Sequence, residues 1–138
     1  MISYGMRKIF YTITAVILTT TGYSQTGLEY YTSGYNKCNL QNYIGAITDF
    51  SKSIEINPMN PISYDSRGFA KIKIQDFRGA IADCNKAIEI DPKDSEAYFH
   101  RGVIKLALVE KENGCLDLSK AGELGYSKAY EIIKQYCN

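Results

Sequence analysis

Apolar residues fall at helical spacing in two successive stretches of this chain, each with a charged opposite face, and the pair of stretches then recurs. The spacing predicts first helices over 27–40, 61–74 and 95–108, and second helices over 43–56, 77–90 and 112–123. The recurrence interval is 34 residues. Tyr30, Tyr64 and Tyr98 share one phase, with Gly34, Gly68 and Gly102 four positions on and then Lys37, Lys71 and Lys105. The second half of the unit repeats as Ala46 and Ala80, Asp49, Asp83 and Asp117, Lys52, Lys86 and Lys120, and Pro58 and Pro92. A period of this length with two helices per unit is the mark of a stacked helix-turn-helix solenoid, in which neighbouring units bury each other's apolar faces.

Start and stop signals fit these boundaries. Asn60 precedes Pro61, an N-cap followed by the helical position that tolerates proline, and Asp94, Asn42 and Asp76 stand where the other helices begin. Pro58 and Pro92 lie just beyond the Ile-Glu-Ile runs, where a helix must end. Gly34, Gly68 and Gly102 fall mid-helix, where glycine costs about 1 kcal/mol relative to alanine. A close helix crossing against Ala46, Ala80 and Gly114 accounts for them.

The spacing Tyr64-x3-Gly68-x11-Ala80-x3-Cys84-x2-Ala87-x4-Pro92 resembles the tetratricopeptide repeat. The first unit matches through Tyr30, Gly34, Ala46, Phe50 and Pro58, with Ser53 at the second alanine position. The third matches through Tyr98, Gly102, Leu118 and Ala121, but Gly114 replaces an alanine and Tyr126 stands where proline is expected. The resemblance covers 27–128, as repeats 27–60, 61–94 and 95–128. It implies an all-α, right-handed superhelical solenoid of three helix-turn-helix repeats plus a C-terminal capping helix over 126–137. The closing stretch from Gly114 to Cys137 also resembles the end of Sel1-like repeat proteins. A turn near Leu124 and Gly125 would set the last helix antiparallel to its predecessor and bring Cys115 near Cys137. The two are either a disulfide or separately buried thiols. Cys84, whose counterparts are Phe50 and Leu118, reads as a small core residue, and Cys38 has no obvious mate.

Composition adds less. The chain has 16 basic and 15 acidic residues and a formal net charge of +1. With no Lys/Arg block it has no electrostatic footprint for nucleic acid. Residues 1–24 have the layout of a secretory signal: Arg7 and Lys8, an apolar run from Ile9 to Leu18, then small residues ending at Ser24. The expected products are an exported chain from 25 to 138, periplasmic, in the cell envelope or secreted, and no stable membrane span after cleavage. The apolar run is half the ~20 residues a spanning helix needs, although an uncleaved anchor is the alternative.

Candidate chemistry is sparse. One histidine, His100, has no nucleophile motif around it, the cysteines have no zinc spacing, and no phosphate loop follows a strand, so no enzyme, metal or cofactor is expected. The resemblance implies binding of a peptide or partner helix on a concave face formed by the first helices. Carried over by position, that face comprises Tyr31, Tyr35 and Cys38, then Asp65, Phe69 and Ile72, then Phe99, Val103 and Leu106. An apolar stripe on an exposed face marks an interaction site. The alternatives are a stripe turned into the core, a permanent structural subunit of a cell-envelope assembly, or a Sel1-like secreted hydrolase. The subclass that clamps a terminal carboxylate with Lys, Asn and Arg is not matched, because Tyr31, Tyr35, Ser66, Glu96 and His100 occupy those positions. Recurrent Asp49, Asp83 and Asp117 beside Arg67 and Arg101 predict ion pairs from each repeat to the next, Asp49 to Arg67 and Asp83 to Arg101.

Overall fold

The computed structural model describes residues 26–138, and among these it contains helices and no strands. Helix α1 spans 26–39. It is followed by α2 (Tyr43–Ile56), α3 (Pro61–Lys73), α4 (Phe77–Ile90), α5 (Ser95–Ala107), α6 (Lys111–Glu123) and α7 (Lys128–Tyr136). Each first helix packs on its own second helix, and each second helix packs on the first helix of the following pair, so the pairs stack as a solenoid. The expected spans agree with these to within a residue or two, and α7 is shorter than the 126–137 expected.

The four predicted N-caps are all made. Asn42 accepts from the Gly45 N–H, Asn60 from Ile62, Asp76 from Gly79 and Asp94 from Ala97, each satisfying a donor that the first helical turn leaves unpaired. Asn57 and Asp91 close α2 and α4 in extended or near-extended backbone, as the residue before proline requires. Within each pair the tight turn passes through one residue of positive φ: Gln41 at 58°, Gln75 at 64° and Val109 at 65°.

The glycines sit at close crossings. A Cβ on Gly102 would lie 3.0 Å from the Gly114 carbonyl oxygen and 2.9 Å from Leu118 Cγ, so α5 and α6 touch almost backbone to backbone. A Cβ on Gly68 would meet the Ala80 oxygen at 3.4 Å. At Gly34 the nearest atoms belong to the Phe50 ring rather than to Ala46. The apolar interior is built around Ala46, Phe50 and Ala70 at one end and Leu118, Ala121 and Ala129 at the other. Cys84 is fully buried, and burial pushes its thiol far up.

The ion pairs run inside each pair of helices, not between successive ones, which corrects the expected pairing. Arg67 grips Asp83 through Nε (2.9 Å) and Nη2 (2.6 Å), and Lys71 reaches the same carboxylate at 2.7 Å. Arg101 and Lys105 hold Asp117 in the same way, at 2.7–2.8 Å. Asp49 accepts from Ser33 (2.6 Å) and Lys37 (2.5 Å). Two antiparallel helices joined by a short turn bring residue n of the first against n+12 and n+16 of the second, so each aspartate faces its own pair. What crosses to the preceding pair is the third guanidinium arm: Arg67 Nη1 donates to Ser51 at 3.0 Å and Arg101 Nη1 to Asn85 at 2.7 Å. Among the described residues no second helix precedes α1, so an arginine in place of Ser33 would find no such acceptor.

At the C-terminal end α7 lies on α6, and Cys115 is joined to Cys137 by a disulfide. Ala129 of α7 is fully buried, with Ile132 and Ile133 packed against the Leu118 cluster.

Candidate functional site

The first helices α1, α3 and α5 border an open groove of about 520 Å³. On one side Tyr35 and Cys38 of α1 and Tyr43 of α2 line it; along the floor lie Ser66, Phe69 and Lys73 of α3 and Glu96 and His100 of α5. Tyr126, just before α7, and Lys128, its first residue, also line the groove. Tyr35 is 54 % exposed. The Phe69 ring is half-buried, 5.6 Å from the His100 ring, with Lys73 Nζ 5.1 Å above it. Burial pushes the Cys38 thiol up. Burial also raises the Tyr126 hydroxyl, with the charges of Glu96 and Asp65 adding to it.

The predicted stripe is therefore divided. Tyr35 and Phe69 face the groove. Tyr31 packs beside Phe50 at 5.6 Å, where its hydroxyl oxygen accepts from Ser66, and Ile72 is half-buried. Asp65 is only 6 % exposed and lies beneath the groove, its Oδ1 2.8 Å from His100 Nδ1. Phe99 packs against Tyr126 with the rings tilted and their centroids 4.6 Å apart, while Val103 and Leu106 pack on the Leu118 cluster. With Ala107, Ile132 and Tyr136, Val103 and Leu106 also border a separate apolar cleft of about 340 Å³ between α5 and α7.

Ser66, Glu96 and His100 stand out in the sequence as positions lacking clamp side chains, and His100 also as the lone histidine, while nothing there assigned Lys73, Lys128 or Tyr126 to the groove. One signal was present. Tyr31 with Ser66 and Asp65 with His100 are both 35 residues apart, one more than the repeat, which is the offset at which neighbouring first helices touch. Tyr126, standing where the repeat pattern wants proline, was a second. Among the described residues no group of three His, Cys, Asp or Glu is placed to hold a metal ion, and no helix is long and apolar enough to cross a membrane.

Two family profiles, both described as tetratricopeptide repeat, match residues 62–94 and 84–121. No curated protein matches the chain. Among solved structures, the chain is similar to the first TPR domain of Spaghetti (RPAP3) bound to the HSP90 peptide SRMEEVD. The identity is 26 % and the TM-score 0.79, over 83 % of this chain and 92 % of that one. It is also similar to the TPR2B domain of yeast Sti1 in complex with an Hsp70 peptide, at 26 % identity and TM-score 0.69, over 78 % and 98 % of the two chains. The first TPR domain of human RPAP3 shares the fold at 24 % identity and TM-score 0.79, over 83 % and 91 %.

These likenesses correct the expectation of an exported, periplasmic or secreted protein, because the similar RPAP3 and Sti1 domains are solved in complex with HSP90 and Hsp70 peptides, as chaperone partners. The signal expected over 1–24 lies outside the described residues. The repeat profiles over 62–94 and 84–121, the stacked helix pairs and the similar solved structures agree: the described residues form an all-α solenoid of the tetratricopeptide-repeat type, the fold of protein-interaction domains.

Proposed function

We propose that the domain holds a peptide or partner helix in the groove bordered by α1, α3 and α5. The observation that carries this reading is the groove itself, open to solvent yet lined by the Tyr35 and Phe69 rings. Exposed aromatic side chains bordering a concavity supply most of the energy at many interfaces. Support comes from the similar RPAP3 domain, which binds an HSP90 peptide. Tetratricopeptide domains of this kind are non-catalytic scaffolds. Of the residues expected on the concave face, we assign ligand contact to Tyr35 and Phe69, supported from behind by Tyr31, Asp65 and Ile72. Phe99, Val103 and Leu106 belong to the seam with α7. The reading includes three repeats over 27–60, 61–94 and 95–128, wound right-handed, with a Sel1-like end in which α7 covers the last apolar face.

Truncating Phe69 tests it. Phe69→Ala is expected to weaken binding of a groove peptide by about 1–3 kcal/mol, read by titration calorimetry, with little change in melting temperature. Phe99→Ala is expected to do the reverse, lowering the melting temperature with little effect on affinity. A Phe69→Ala protein that binds at full strength would place the ligand elsewhere.

A further inference from the structure

Helix α7 is held to the solenoid by apolar contact and one covalent bond. It has nine residues, fewer than an isolated helix needs to persist in water. Ala129 is its one buried residue, with Ile132 and Ile133 partly buried against the Leu118 cluster. Among the described residues no ion pair joins α7 to another helix. The pair beneath it is tied together without its help. Arg101 and Lys105 clasp Asp117, and Gly102 crosses Gly114 almost backbone to backbone, all within α5 and α6.

The two ends of α7 differ. The chain enters it through Gly125, whose φ of 97° lies in the region that favours glycine, and nothing lies within 4 Å of where a Cβ would sit. A glycine in open space absorbs large dihedral changes, as a hinge must. At the far end Cys137 is bonded to Cys115 of α6. Both cysteines border an open cavity of about 680 Å³ together with Lys111, Leu116 and Ser119, so a reductant reaches the bond from solvent. Between hinge and bond, α7 covers more of the face that lines the groove. Val103 repeats the position of Tyr35 and Phe69, and Leu106 that of Cys38, all three of which line it. Phe99 packs under Tyr126, just before α7.

We propose that α7 is a redox-latched lid, and that reducing Cys115–Cys137 lengthens the ligand groove along α5. The inference rests on the groove being the peptide site and names how that site is regulated. A dithiol supplies the electrons. One of its thiolates bonds to a sulfur of the pair as the S–S bond breaks, and its second thiol then displaces that sulfur and closes the dithiol's own disulfide. Two electrons and two protons pass to the protein, leaving Cys115 and Cys137 as thiols. The latch joins positions 22 residues apart. Losing it returns chain freedom to the open form, worth about a hundredfold in the opening equilibrium. With the lid open, Phe99, Val103 and Leu106 meet the ligand in line with Tyr35 and Phe69. With it latched, the groove ends at Tyr126.

Hydrogen exchange of the full chain, oxidised and after reduction with dithiothreitol, tests the lid. Amides of α7 are expected to exchange about a hundredfold faster after reduction, with those of α3 and α4 unchanged. For the groove, peptides from a random phage-displayed library are selected on the Cys115→Ser, Cys137→Ser chain, whose fold is checked by circular dichroism. Calorimetry is expected to show them binding this variant about tenfold more tightly than the oxidised chain. If the variant does not fold, the exchange comparison on the unmodified chain decides alone. Equal protection of α7 in the two states, loss of protection throughout the solenoid, or equal affinity would each overturn the proposal and leave the groove reading standing. Tighter binding to the variant that an added Phe69→Ala does not weaken would overturn the groove reading, and with it the claim that the latch serves that groove.

Discussion

At the scale of single residues, the firmest device is the recurrent carboxylate clasped by a lysine twelve positions earlier and an arginine or serine sixteen positions earlier. Both recurrences were legible, since Lys37, Lys71 and Lys105 recur at the same 34-residue interval as Asp49, Asp83 and Asp117. Their pairing was not. A 34-residue period shows that two positions repeat but leaves open which copy meets which, and the antiparallel turn inside each pair decides it. Burial pulls the Asp117 carboxyl up, but donation from Arg101 and Lys105 outweighs this and holds it below its ordinary range. Asp49 is likewise held low against burial by Lys37 and Ser33. A carboxyl with a folded pKa below its unfolded one adds stability that is complete above the unfolded value, near 3.9, and is lost as pH falls through the folded one. Asp94, raised by burial, works with the opposite sign and offsets part of this. Thermal melts are therefore expected to show the melting temperature level above about pH 5 and falling steadily toward pH 2. A melting temperature that stays flat down to pH 2 would mean that these pairs do not act through ionisation.

At the scale of elements, helices and caps were legible because Asn42, Asn60, Asp76 and Asp94 announce each start and Pro58 and Pro92 each stop. The tightness of individual crossings was not, because three glycines in one phase look alike in sequence and differ in space. A methyl on Gly68 makes ordinary contacts at 3.4–3.5 Å, while one on Gly102 strikes the Gly114 carbonyl and the Leu118 backbone nitrogen at 3.0–3.1 Å. Gly68→Ala is expected to be neutral or to stabilise by up to about 1 kcal/mol through helix propensity. Gly102→Ala is expected to destabilise by about 1–3 kcal/mol through overpacking. Urea denaturation of the two variants gives the comparison directly, and equal effects would contradict it. The turns carry a second contrast. Val109 holds φ at 65° although it is β-branched and 88 % exposed, so no packing repays the strain. Val109→Gly is expected to raise stability by about 1 kcal/mol, which the same denaturation series would register.

At the scale of the whole molecule, the period alone gave the solenoid, and the aromatic residues of the first helices gave the side on which the groove lies. The groove's far limit was hidden, since it depends on Tyr126 and α7 folding back over Phe99, Val103 and Leu106. Val103, which shares a phase with Tyr35 and Phe69, thereby becomes part of a seam together with Phe99 and Leu106. The end of a repeat array has no following unit, so its equivalent positions meet the cap instead of a ligand. The groove's polar floor was hidden for a related reason: Asp65 and His100 come from adjacent repeats and look unremarkable until the 35-residue offset sets them together. On the proposed reading this groove, and no other surface, receives the partner. Amide chemical-shift mapping of the full chain with a library-selected peptide tests it most directly. The largest changes are expected at Tyr35, Ser66, Phe69, Lys73 and His100, with the outer faces of α2, α4 and α6 unmoved. Changes centred on the turns at Gln41, Gln75 and Val109, or on the cleft between α5 and α7, would contradict it.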